Sequence, residues 1–187
     1  RFMAKMTGRD SARPMYAAVV DGMDQSIGKV LDTLDTEGLA DTTIVLFFSD
    51  NGGAVYAIGG ADNAPLRGGK GDTFEGGIRV VATVRWPEQI PAGSRVDSIM
   101  SVMDVLPTLA AAAGIEPSTH NRLDGRNIVT ALTEAESIPR EDLLFFIAES
   151  PFKNTVNVTA LNDEWKLVQR IETGFTSVEV TNFLFNI

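Results

Sequence analysis

From Met15 onward, apolar side chains recur at helical spacing: Val20, Met23, Ile27, Val30, Leu31 and Leu34, with Asp21, Asp24, Lys29 and Asp32 between them. The pattern predicts a helix over residues 15–36, stopped by Gly38. Thr43 to Phe48 then runs through β-branched and apolar residues without polar interruption, as in a strand buried on both faces of a largely parallel sheet. A second strand is predicted over 78–84, closed by Trp86-Pro87. Between the strands lies a long glycine-rich crossing, Ala54 to Gly77. It holds Gly59-Gly60, Asn63, Pro65, Arg67-Gly-Gly-Lys70-Gly71 and Glu75-Gly-Gly77. A connection of that length inside a compact domain tends to be functional.

Further along, Asp104 reads as an N-cap with Pro107 in the first helical turn, giving a helix to Ala113 stopped by Gly114. A short helix is predicted over 127–132. Strands are predicted over 143–147, 159–161, 165–169 and 177–184, joined by polar turns into an antiparallel group. Trp86, Trp165 and the paired phenylalanines read as core. The fold class is α/β: a mixed-sheet α/β/α sandwich portion over residues 1–138, then a small antiparallel α+β subdomain over 139–187. Both ends of the chain read as cut from something longer.

Composition removes several options. A formal net charge of −9 argues against a nucleic-acid partner, which needs a basic surface. No apolar run reaches the length of a membrane span. Cysteine is absent, so disulfides, thiolate metal sites and cysteine nucleophiles are excluded. The one histidine, His120, sits in a polar loop and reads as solvated.

The strand at 43–48 ends in Ser49-Asp50-Asn51-Gly52-Gly53. In open α/β sheets, ligands bind beyond the carboxyl ends of strands. Asp50 and Asn51 both offer hard oxygen, which suits Ca²⁺ or Mg²⁺, although an ordinary Asp-Asn-Gly turn has the same sequence. Lys70 lies among glycines, where backbone and ammonium can approach an oxyanion; a solvated lysine is the plainer reading. It is not a nucleotide-binding P-loop, because position 64 is alanine where glycine is required and position 71 is glycine rather than Ser or Thr. A divalent cation and an ammonium within reach of one anion is the arrangement that stabilises a transferring phosphoryl or sulfuryl group. Arg67 is either a further anion ligand or a partner for Glu75 or Asp72. Glu75 and Arg79 read as braces that hold the loop against the sheet. No serine has a local histidine partner and no Gly-x-Ser-x-Gly elbow occurs, so nothing here supplies a nucleophile.

In order, Tyr16 to Leu31, Phe48 to Gly53, Pro65 to Arg79, Met103 to Gly114 and Leu123-Asp-Gly125 resemble the carboxyl-terminal portion of an arylsulfatase-type sulfatase, of the alkaline-phosphatase-like superfamily. The resemblance covers about residues 15–130. It implies that Asp50 and Asn51 ligate Ca²⁺, that Lys70 contacts the sulfate, and that the activity is sulfate ester hydrolysis on a small molecule or sulfated glycan. The family nucleophile is a formylglycine made from Cys or Ser in a Cys/Ser-x-Pro/Ala-x-Arg motif. That motif is missing here, and Ser11-Ala-Arg-Pro14 does not qualify. The expectation is therefore a truncated piece, inactive and weak in Ca²⁺ binding by itself, whose partner is the missing amino-terminal half of the same protein. By analogy the location is periplasmic or extracellular. The alternatives are a phosphonate or phosphate monoester hydrolase of the same superfamily, or a non-catalytic relative that binds a sulfated sugar or a protein.

Overall fold

A computed structural model describes residues 12–56, 61–115, 123–150 and 154–187. His120 and Gly59-Gly60 lie outside the described residues. Helix α1 spans Ala12–Thr36. It ends where Gly38 takes φ +68° and the Leu39 N–H donates to the Leu34 carbonyl at 2.8 Å, a left-handed stop that glycine adopts at no steric cost. A 3₁₀ turn, Ala40–Thr42, leads into strand β1, Val45–Phe48. Strand β2, Ala82–Arg85, pairs with β1 antiparallel in the register Val45↔Arg85 to Phe48↔Ala82.

Two details differ from the pattern-based reading. The apolar run at 43–48 suggests a strand buried on both faces of a largely parallel sheet. Within the described residues β1 has one antiparallel neighbour and is only half-buried, with Phe48 39% exposed. Residues 78–81 also fall outside the second strand. The N–H groups of Gly77 and Ile78 both donate to the Phe74 carbonyl, which winds Glu75–Ile78 into a single helical turn, α2. The α/β class itself holds, with antiparallel sheets.

Ser101 opens the next segment as the cap of a 3₁₀ turn, Val102–Asp104, followed by α3, Val105–Ala112. Asp104 does stand before α3, but its carboxylate makes no capping bond to that helix. It reaches back instead, accepting from the Ser101 N–H at 2.8 Å and the Arg126 N–H at 2.9 Å, and it ion-pairs with Arg140. Both members of that pair are buried. Helix α4, Val129–Glu134, begins two residues later than predicted. The Arg126 guanidinium bonds the carbonyls of Ile138 and Ile99, which ties down the segment before the last sheet.

That sheet is a four-stranded antiparallel meander in the order β3-β4-β5-β6: Leu144–Ser150, Thr155–Leu161, Trp165–Thr173 and Val178–Asn186. Directly opposed residues share a face, so one face carries Asn157, Arg170 and Thr181, then Thr159, Val168 and Phe183, then Leu161, Lys166 and Phe185. This is the inward face, where Asn157, Thr159, Leu161, Lys166 and Val168 are buried. The outward positions include Phe145, Ile147 and Trp165, which are exposed; Trp165 and Phe145 are therefore not core residues. Trp86 is half-buried.

Candidate functional site

The tip of β1 is fixed by backbone-to-backbone contact with the glycine-rich loop. The Gly52 N–H donates to the Gly77 carbonyl at 2.9 Å, and a Cβ at position 52 would stand 1.7 Å from the Gly76 carbonyl oxygen. The Gly53 carbonyl accepts from the N–H groups of Val55 (3.0 Å) and Lys70 (3.1 Å) and from Asn63 Nδ2 (2.9 Å). The Asn63 amide completes a clasp: its Oδ1 accepts from the Gly53 N–H at 3.0 Å, and Nδ2 also donates to the Gly68 carbonyl at 3.1 Å. At position 69 a Cβ would stand 2.5 Å from the Gly53 carbonyl oxygen, so only glycine lets the Lys70 backbone come this close.

Three polar side chains therefore project from one closely packed piece of backbone. Asp50 is exposed, and one carboxylate oxygen accepts from the Asn51 N–H at 2.9 Å. Asn51 Oδ1 is buried and has no hydrogen-bond partner. Native structures rarely leave such an oxygen unbonded; an ordered water or an adjacent cation satisfies it. Lys70 is exposed, and among the described residues no carboxylate forms an ion pair with it.

The far side of the loop leans on the inward face of the last sheet. Lys166 Nζ donates to Glu75 Oε1 at 2.6 Å, and Arg79 lies 3.6 Å from the same carboxylate. Arg170 pairs with Asp72 at 3.3 Å and donates to Asn157 Oδ1 at 3.0 Å. The Thr159 hydroxyl donates to the Thr73 hydroxyl at 2.6 Å. Glu75 thus braces the loop as read from the sequence, whereas among the described residues Arg79 pairs only with Glu75 and does not reach the sheet. Arg67 does not take up the acid pairing read for it: among the described residues it pairs with neither Glu75 nor Asp72 and stacks over Phe74 at 3.9 Å and Phe183 at 4.8 Å. Sequence reasoning misses Asn63 as a clasp and Lys166 and Arg170 as loop partners. Neither the spacing nor the composition of those segments marks them.

As donors to a metal, Asp50 and Asn51 offer an adjacent carboxylate and amide, and the unbonded Asn51 oxygen fits such a role. Among the described residues no group of three His, Cys, Asp or Glu side chains is placed to hold an ion. The pair therefore falls well short of the ~6–8 oxygens that Ca²⁺ takes.

Residues 2–115 match the family model described as Sulfatase. The chain is 42% identical over 136 residues to the steryl-sulfatase of Rattus norvegicus, covering 70% of this chain and 24% of that protein. To the N-acetylgalactosamine-6-sulfatase of Homo sapiens it is 38% identical over 132 residues, covering 70% of this chain and 25% of the relative. Among solved structures, Ps i-CgsB superposes with a TM-score of 0.79 at 31% identity, over 98% of this chain and 38% of that one. Its complex with k-i-k-neocarrahexaose gives 0.77 at 30% identity, over 95% and 38%. The chain spans about a quarter of the length of the curated relatives it matches.

Proposed function

The chain belongs to the sulfatase family, and from that premise we propose that it is the carboxyl-terminal part of an enzyme that hydrolyses sulfate esters. In this reading residues up to 138 complete the catalytic α/β domain, and 139–187 form a small subdomain against it. Asp50 and Asn51 give two oxygens to a Ca²⁺ site, and the remaining ligands come from the amino-terminal half. When bound, the ion withdraws charge from the sulfate oxygens. Lys70 would assist in this stabilisation: its backbone is fastened to Gly53, and its ammonium would neutralise negative charge on the sulfate oxygens. The nucleophile, a formylglycine in this reading, also belongs to the missing half, so the chain by itself is inert. The observation that carries the proposal is the buried, unbonded Asn51 Oδ1 on the strand tip to which the Lys70 loop is bonded.

The substrate is a sulfate ester of a small molecule or of a glycan; the relatives' names, one for a steryl and one for an amino-sugar substrate, do not narrow it further. The location is proposed to be outside the cytoplasm. No described helix is long and apolar enough to cross a membrane. The test is hydrolysis of an aryl sulfate, set beside an aryl phosphate and an aryl phosphonate, by the longer protein that carries this chain. The sulfate ester should be the preferred substrate. Lys70→Ala should lower kcat by about 10²–10³-fold, the usual cost of one such electrostatic contact. Preference for the phosphorus esters would reassign the reaction, and full activity in the variant would remove Lys70 from the site. No turnover of any ester, with the sulfated compound still bound, would make the protein a non-catalytic binder.

A further inference from the structure

We propose that Lys166, seconded by Arg170, is a positioning residue that sets where the Lys70 ammonium stands. The inference rests on the reading of Lys70 as the sulfate contact. Lys166 and Arg170 share the inward face of β5, so the sheet points two cations into the molecule rather than into water. Lys166 is 1% exposed, and its partner is Glu75 at 2.6 Å. Glu75 is half-buried, and a pair with one member fully buried contributes little to stability in itself, because desolvation consumes most of the attraction. Its distinctive property is geometric: a buried ammonium with one partner holds that partner in one place.

The partner sits where position matters. From residue 63 to 74 the loop has no helix or strand, so its shape depends on its anchors. Besides the backbone bonds from the Lys70 N–H to the Gly53 carbonyl and from the Gly76 N–H to the Arg67 carbonyl, one side-chain anchor precedes Lys70, the Asn63 clasp on Gly53 and Gly68. The other follows it: Asp72 on Arg170, Thr73 on Thr159 and Glu75 on Lys166, three polar contacts to adjacent strands. The Asp72 carboxylate also accepts from the Phe74 N–H at 3.2 Å, which closes the turn just after Lys70. Beside them the buried Phe74 packs edge-on against Phe183 and Phe185, and the polar contacts add a fixed direction to that apolar contact. The last sheet therefore serves as the rigid reference from which Lys70 is aimed.

The experiment is a double-mutant cycle in the longer protein, with kcat and KM for an aryl sulfate measured for K166M, K70A and the double variant, each with a thermal melt. Mispositioning a charge-stabilising group is expected to lower kcat by about ten- to a hundredfold in K166M with little change in KM. The double variant should be no slower than K70A, since Lys166 acts through Lys70. R170K, which keeps the charge, should retain more kcat than R170M. Multiplying losses in the double variant, or a lowered melting temperature with kcat intact, would overturn the inference while leaving the role of Lys70 standing. A K70A enzyme as fast as the parent would remove both. Should K166M fail to fold, E75Q takes its place in the same cycle with the same two outcomes.

Discussion

The backbone N–H of Lys70 donates to the carbonyl of Gly53 at 3.1 Å, and Gly53 lies two residues beyond Asn51. That bond, with the Gly52 N–H on the Gly77 carbonyl, joins the two parts of the chain on which the functional reading depends, the end of a strand and a glycine loop. It forms because the loop has no side chain at position 69 to hold the two backbones apart. Asn63 then secures both flanks with one amide.

Gly69→Ala should therefore be costly. The added methyl meets a backbone oxygen, which has no rotamer to move away, at 2.5 Å. Overpacking of this kind costs about 1–3 kcal/mol, here with loss of the Lys70–Gly53 bond as well. Gly28→Ala is the control. It lies within α1 with nothing inside 4 Å of the new atom, and the substitution should stabilise the helix by about 0.5–1 kcal/mol. Urea unfolding of the two variants should move in opposite directions; a Gly69→Ala protein as stable as the parent would contradict the packing described.

Arg140→Met should be more damaging than its place in the connection between α4 and strand β3 suggests. It leaves the fully buried Asp104 carboxylate with its two backbone N–H partners and no cation. Removing one member of a buried pair costs about 3–5 kcal/mol, because the other charge stays desolvated. Asp104→Asn combined with Arg140→Met should recover part of that loss, since no uncompensated charge remains. A double variant less stable than Arg140→Met alone would show that the charge is not the source of the cost.

The arrangement around Asn51 is largely legible in the sequence, and the support beneath it is not. Asp50, Asn51 and Lys70 stand out because polar residues follow an unbroken apolar run and because glycines surround the lysine. Strand β4 is predicted only over 159–161, whereas it starts at Thr155. Its inward residues Thr155, Asn157 and Thr159 are polar and its outward Val156 and Val158 apolar, the inverse of the pattern by which a half-buried strand is recognised. The cause is the polar loop on which that face rests. For the same reason Lys166 and Arg170 look like solvent-facing charges. Asp104 suits a cap by its sequence position, while the partner that claims it, Arg140, lies far along the chain.

Calcium gives a separate prediction. With two oxygens at the strand tip, the isolated chain should bind Ca²⁺ no better than about millimolar, the range of the weakest sites. The longer protein should bind it tightly and lose sulfatase activity on chelation. Titration calorimetry on both makes the comparison. Submicromolar affinity in the isolated chain would mean that it holds further ligands of its own, against the two-donor reading.

The most direct test of the account is a crystal structure of the longer protein with Ca²⁺ and a bound sulfate or sulfate ester. Asp50 and Asn51 Oδ1 should lie at about 2.3–2.6 Å from the ion. The Lys70 ammonium should lie at about 2.7–2.9 Å from a sulfate oxygen. A metal held without Asn51, or a sulfate bound with Lys70 turned to solvent, would contradict this arrangement.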